Sequence, residues 1–182
     1  MLDWGRTPMV QILIILAPIV VLAAATDICS HKIPNWLTFP AIIAGVIYHS
    51  TTAGIQGCLL SVAGALLGMA FFLPFYIKGG TGAGDVKLMG AVGAFLGPAG
   101  VLYAFLFSSM AGGIYAVLLL IRHGLFKETF MRYRDMVGAF LFLHKMLYIP
   151  PEAKMPVLRF GIAIAVGTIS FILADLIWIL NP

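Results

Sequence analysis

Charge is scarce in this chain of 182 residues: Asp, Glu, Lys and Arg together supply only 10% of it, while apolar residues reach 62%. Soluble globular domains carry about a quarter charged residues and about half apolar ones. With a mean hydropathy of +1.05, this composition excludes a water-soluble domain. Cysteine is nearly absent as well. Cys29 and Cys58 stand alone, without Cys-x-x-Cys spacing and without a His at metal-ligand distance in sequence. That argues against a disulfide framework and against zinc, so no metal and no cofactor are expected. The chain also lacks an internal repeat, a low-complexity tract and a polar stretch long enough for a second domain. Residues 1–182 therefore read as a single integral membrane domain.

What the chain does have is apolar runs. A bilayer core needs roughly 20 apolar residues per helix, and counting on that basis predicts six segments at about 8–26, 36–50, 56–77, 87–98, 100–121 and 160–180. The expected fold class is all-α, a polytopic membrane bundle of about six transmembrane helices, because only helices and closed barrels satisfy their backbone in lipid. The fourth segment is short for a full span, which puts the Gly-rich stretch before it at membrane depth. The first run is too long for a signal-peptide core and leads straight into another apolar segment, so it reads as a spanning helix.

The basic residues set the expected orientation. With the N-terminus outside, Lys32, Lys78, Lys87 and the seven basic residues from Arg122 to Arg159 all fall on the cytoplasmic side, leaving Arg6 outside. The positive-inside rule favours that arrangement, N-terminus out and C-terminus out, for a multi-pass protein of the bacterial inner (cytoplasmic) membrane. The net charge of +4 is then explained by topology, and no nucleic-acid partner is expected. Within residues 122–159, basic clusters alternate with apolar stretches too short to span, the pattern of an amphipathic helix lying in the interface against membrane lipid. Small-residue spacings such as Gly64-x3-Gly68 read as close helix packing.

Two aspartates stand out against this background. Asp27 ends the first apolar run and is followed by Ile33-Pro34-Asn35; Asp85 lies in Gly82-Ala83-Gly84-Asp85-Val86-Lys87. Ionisable groups at membrane helix ends are costly and mark functional sites by default. The six-helix topology puts both on the cytoplasmic side, where they can converge. Two carboxyls sharing a proton can hydrolyse a peptide bond without metal, Ser or Cys: the ionised one takes a proton from water while the protonated one polarises the scissile carbonyl. Glycines around Asp85 free the backbone of Cβ bulk and let an extended peptide approach. Pro34-Asn35 marks a turn, with Asn35 expected as N-cap of the second helix. His31 reads as an exposed loop residue, and Lys87 as a headgroup anchor in preference to a charge that biases the pair.

These elements resemble a known family. Asp27-x5-Ile33-Pro34-Asn35, the stretch Gly79-Gly80-Thr81-Gly82-Ala83-Gly84-Asp85-Val86-Lys87-Leu88-Met89, and Phe160-Gly161-Ile162-Ala163-Ile164-Ala165 are similar to motifs of the type IV prepilin peptidases, membrane aspartic proteases of the GxGD type. The resemblance implies an aspartic endopeptidase that removes the basic leader of prepilin or pseudopilin substrate helices at the cytoplasmic face. It makes Asp27 and Asp85 the catalytic pair, with Gly82, Gly84, Lys87, Pro34 and Asn35 shaping the loop or meeting substrate. Larger members carry an added domain with paired Cys-x-x-Cys motifs that bears on N-methylation. This chain looks instead like the short, peptidase-only members of tight-adherence (Flp) pilus systems, without methyltransferase activity. It departs from the family at the start of the last helix, where Arg159-Phe160-Gly161 stands in place of Pro-Tyr-Gly.

A reading from another class is a proton- or cation-coupled membrane carrier using Asp27, Asp85 and Asp175. It predicts carboxylates spread across the bilayer depth, with Asp175 as a relay. The residues leave the identity of the pilin and the oligomeric state open.

Overall fold

The computed structural model describes residues 9–143 and 158–180, with side chains described for 9–136 and 158–178. Every regular element in them is a helix: α1 (Met9–Ser30), α2 (Asn35–Ile77), α3 (Ala83–Arg122), α4 (Phe126–Leu143) and α5 (Phe160–Leu180). Four of these, all but α4, are long and apolar enough to cross a membrane. By continuity that is four spans where the sequence predicts six, and the difference lies in two backbone breaks.

Helix α2 has 43 residues, which at 1.5 Å per residue would reach about 65 Å, twice a bilayer core. It does not run straight. Ala53 and Gly54 leave helical geometry, with Gly54 at φ 59°, ψ −144°. Helix α3 breaks the same way at Gly97, φ 69°, ψ −178°, a combination open essentially only to glycine. Contacts show that both breaks are reversals. Residues 35–52 run parallel to the start of α3: Asn35 meets Lys87, Gly45 faces Ala94 and His49 meets Phe95. Residues 55–77 run back the other way, Gly64 against Gly93 and Gly68 against Met89. Beyond Gly97 the chain returns alongside them, Gly68 touching Val101 and Phe71 and Phe72 meeting the Phe105 ring. The expected helix-to-helix joints near residues 50–56 and 98–100 thus fall on these two hairpins.

The chain divides into two compact units, Met1–Gly112 with Arg159–Pro182, and Gly113–Leu158. In the first, residues 83–96 form the innermost element. Leu88, Met89, Val92 and Ala94 are fully buried, whereas Ile14, Ile43, Ile55 and Leu66 on the surrounding helices are widely exposed. A helix apolar on every side belongs in the middle of a bundle, and an apolar outer surface is what lipid contact requires. Glycines set the spacing: a Cβ on Gly64 would lie 2.2 Å from the Gly93 carbonyl oxygen, so the backbones touch directly. Helices α1 and α5 pack along each other, and Leu16, Val20 and Ala23 on one and Ile164 and Ile172 on the other are buried.

The second unit contains α4. It follows a Schellman turn, in which Gly124 at φ 70° donates to Ile121 and Leu125 to Leu120. Phe126 and Phe130 stack one turn apart, and Arg134 pairs with Asp135 at 2.8 Å on the exposed surface. Of the amphipathic segment expected at 122–159, Phe126–Leu143 is helical; residues 144–157 lie outside those described.

Candidate active site

Each aspartate is placed by a helix terminus. Helix α1 runs to Ser30, four residues beyond the predicted end, so Asp27 sits in its last turn. The helix is closed by His31, whose φ of 53° is left-handed and whose N–H donates to the Asp27 carbonyl, 3.1 Å. This is the αL cap usually formed by glycine. His31 is exposed, as expected, but it is a helix terminator, and its Nε2 lies 3.5 Å from Nη2 of Arg159.

Helix α3 begins at Ala83, four residues earlier than predicted, so Asp85 belongs to its first turn. Helix α2 ends in a Schellman turn, Gly79 donating to Tyr76 and Gly80 to Phe75, with Gly79 at φ 73°. After it, the Asp85 N–H donates to the Gly82 carbonyl, 3.1 Å, and the Gly82 N–H donates to Asp85 Oδ2, 2.9 Å. That is the reciprocal half of a capping box. Locally, then, this stretch is a Gly-rich turn capped by Asp85. Two facts set it apart from an ordinary cap: Asp85 is only 7% exposed, and it faces another buried acid, Asp27, 8% exposed.

The two carboxyls line one cleft of about 530 Å³. The seven residues that the family resemblance assigns to the site all line it: Asp27, Asp85, Gly82, Gly84, Lys87, Pro34 and Asn35. They are joined by His31, Lys32, Ile33 and Ala83.

The roles of the lining residues differ in detail from those expected. A Cβ on Gly84 would fall 2.8 Å from Ile33 Cβ, so the space that glycine frees is filled by the chain's own Ile33. On Gly82 the nearest atom would be Asp85 Oδ2 at 3.5 Å; what Gly82 supplies is its N–H. Pro34, with φ −73° and ψ 145°, is the N-cap of α2, and no side chain caps that end. The expected cap by Asn35 is thus corrected. Asn35 is already helical, and its Oδ1 accepts from Lys87 Nζ at 2.8 Å. Lys87 also lies 5.1 Å from the Phe39 ring centroid, so it ties α3 to the Ile33-Pro34-Asn35 turn.

Gly161 is the residue that sequence reasoning left out of the site. Its backbone N–H donates to Asp27 Oδ2, 3.1 Å, inside the bundle. A Cβ there would lie 2.9 Å from the same oxygen. The signal was the Phe160-Gly161 motif itself. Each acid therefore has its Oδ2 held by one backbone N–H, from Gly161 or Gly82.

Asp175 is elsewhere. Fourteen residues after Gly161 on α5, it is about 21 Å along the helix and lines a separate, largely apolar cleft with Pro98, Tyr103, Phe171 and Trp178. Among the described residues, no group of three or more His, Cys, Asp or Glu side chains has the geometry to hold a metal ion.

Residues 14–117, more than half of the chain, match the family described as the type IV leader peptidase family. The match covers both aspartates and stops before α5. No curated protein and no solved structure matches the chain.

Proposed function

The chain belongs to the type IV leader peptidase family and is a membrane peptidase, and from that premise we propose that Asp27 and Asp85 together activate the water that cleaves its substrate. The observation that carries this reading is the pair of buried acids in one cleft, each with one oxygen fixed by a backbone N–H. The fixed oxygens orient the carboxyls, and Oδ1 of each is left to the reaction.

With one proton shared by the pair, the ionised carboxyl removes a proton from water and the resulting hydroxide attacks the scissile carbonyl carbon. The protonated carboxyl donates to the carbonyl oxygen as it gains charge. Collapse of the tetrahedral intermediate breaks the C–N bond, and the leaving amine takes up a proton from the pair. The two acids carry equivalent hydrogen bonds, so acid and base are roles of the pair and not of one residue.

The substrate of this reading is a prepilin or pseudopilin whose apolar helix docks laterally and whose basic leader lies on the cytoplasmic side of the inner membrane. Support for that side is the basic residues around the cleft, Lys32 and Lys87, together with the positive-inside pattern. Helix α4, with Phe126 and Phe130 stacked on one face, has the amphipathic character to lie among lipid headgroups.

The test is co-expression with a prepilin-like substrate, following leader removal by gel mobility. Asp27→Asn and Asp85→Asn should each leave the substrate at its unprocessed size. Processing that continues in both variants removes the basis of the proposal.

A further inference from the structure

The helix that carries Asp85 is too short to cross a bilayer core by itself. Residues 83–96 span about 21 Å, short of the roughly 30 Å of a bilayer core. Near its end the helix has a defect written in the sequence. The Ala94 carbonyl should accept from the N–H of residue 98, but residue 98 is proline and has none. One residue before that proline, the chain reverses at Gly97. A buried carbonyl left unsatisfied is expensive, because no water replaces the lost partner.

Two side chains from α2 meet this end. Ser61 Oγ donates to the Ala94 carbonyl at 2.7 Å, buried. The His49 ring lies with Nε2 2.7 Å from the Phe95 carbonyl oxygen, also buried, so that nitrogen carries the hydrogen and donates. Both residues are essentially inaccessible, His49 at 1% and Ser61 at 0%. They come from opposite arms of the α2 hairpin, His49 from 35–52 and Ser61 from 55–77. Between them the Asp85 helix is gripped on two sides. Its other end is held by Lys87 on Asn35 and by the packing of Gly84 on Ile33.

We propose that His49 and Ser61 are positioning residues for catalysis: by capping the Ala94 and Phe95 carbonyls they fix the depth and rotation of the short helix that presents Asp85 to Asp27. This rests on the reading of Asp27 and Asp85 as the catalytic pair. A histidine buried in a membrane bundle is costly to keep; here it supplies a donor to the Phe95 carbonyl, whose own helical partner is carried away where the backbone turns at Gly97.

The experiment has two arms on purified, folded protein. The first measures leader cleavage. His49→Ala is expected to lower kcat by about 10- to 100-fold, the scale of a displacement on the order of 1 Å, with KM kept, and His49→Gln, which retains an N–H donor, to restore most of it. Ser61→Ala should lower kcat less, and it stands in if His49→Ala does not accumulate. The second arm does not depend on activity. Asp27→Cys and Asp85→Cys are combined in a chain with Cys29→Ser and Cys58→Ser, and cross-linking by a short bifunctional thiol reagent is timed with and without His49→Ala or Ser61→Ala. Slower cross-linking in those backgrounds, recovered by His49→Gln, supports the inference. Unchanged cross-linking and unchanged kcat overturn it. Cleavage that persists in Asp85→Asn would instead overturn the assignment of the pair, while the cross-linking arm still reports on the helix.

Discussion

Replacing Gly161 with Ala sets activity against stability. An added Cβ would sit 2.9 Å from Asp27 Oδ2 and 3.1 Å and 3.2 Å from its Cβ and Cγ, about 0.5 Å short of ordinary van der Waals contact. The carboxyl must move away, and the 3.1 Å bond from the Gly161 N–H lengthens or breaks. A hydrogen bond to a charged group contributes roughly 1.5–3 kcal/mol net, and its loss translates into roughly a 10- to 100-fold fall in kcat if Asp27 must hold that orientation in the transition state. The helix itself should not suffer, since Ala is the better helix former by at most about 1 kcal/mol. The expected outcome is thus a protein that accumulates and melts normally but cleaves slowly. Single-turnover cleavage of a leader-bearing substrate in detergent, beside a thermal melt, measures both. Wild-type cleavage by a normally folded Gly161→Ala protein would refute the claim that this N–H orients Asp27.

Other substitutions probe neighbouring parts of the site. Gly84→Ala must push on Ile33, whose Cβ and backbone lie 2.8–3.3 Å from the new carbon, whereas Gly82→Ala meets nothing closer than 3.5 Å; only the first should lose both yield and cleavage, as band intensity and substrate mobility will show. Gly97→Ala forces a side chain onto φ 69°, ψ −178°, a strain of about 1–3 kcal/mol or more, and should lower the melting temperature in detergent clearly more than Gly113→Ala, where a Cβ finds open space. Lys87→Met and Asn35→Ala each remove the 2.8 Å bond between α2 and α3. Exposed pairs of this kind contribute about 1 kcal/mol, so each should slow cleavage by up to about fivefold and the double variant no more than either alone. Additive losses in that cycle would show that the two side chains do not act through each other.

The polypeptide's own pattern determined that this is a membrane helical bundle, where its apolar runs lie, and singled out the two acids that the structure brings to one cleft. Those are local properties: hydropathy over some 20 residues, glycine around Asp85, a turn after Asp27. Even the two breaks inside α2 and α3 were legible, as gaps between apolar runs. What the sequence did not reveal are pairings between distant positions. Gly161 holds Asp27 across 134 residues, Lys87 reaches Asn35 across 52, His49 meets Phe95 across 46, and Ser61 meets Ala94 across 33. No periodicity encodes these. They follow from the register in which glycine-lined helices come into contact, which exists only once the bundle has closed, because a hydrogen bond's partner is chosen by ångström-scale packing and not by the residue type that supplies it.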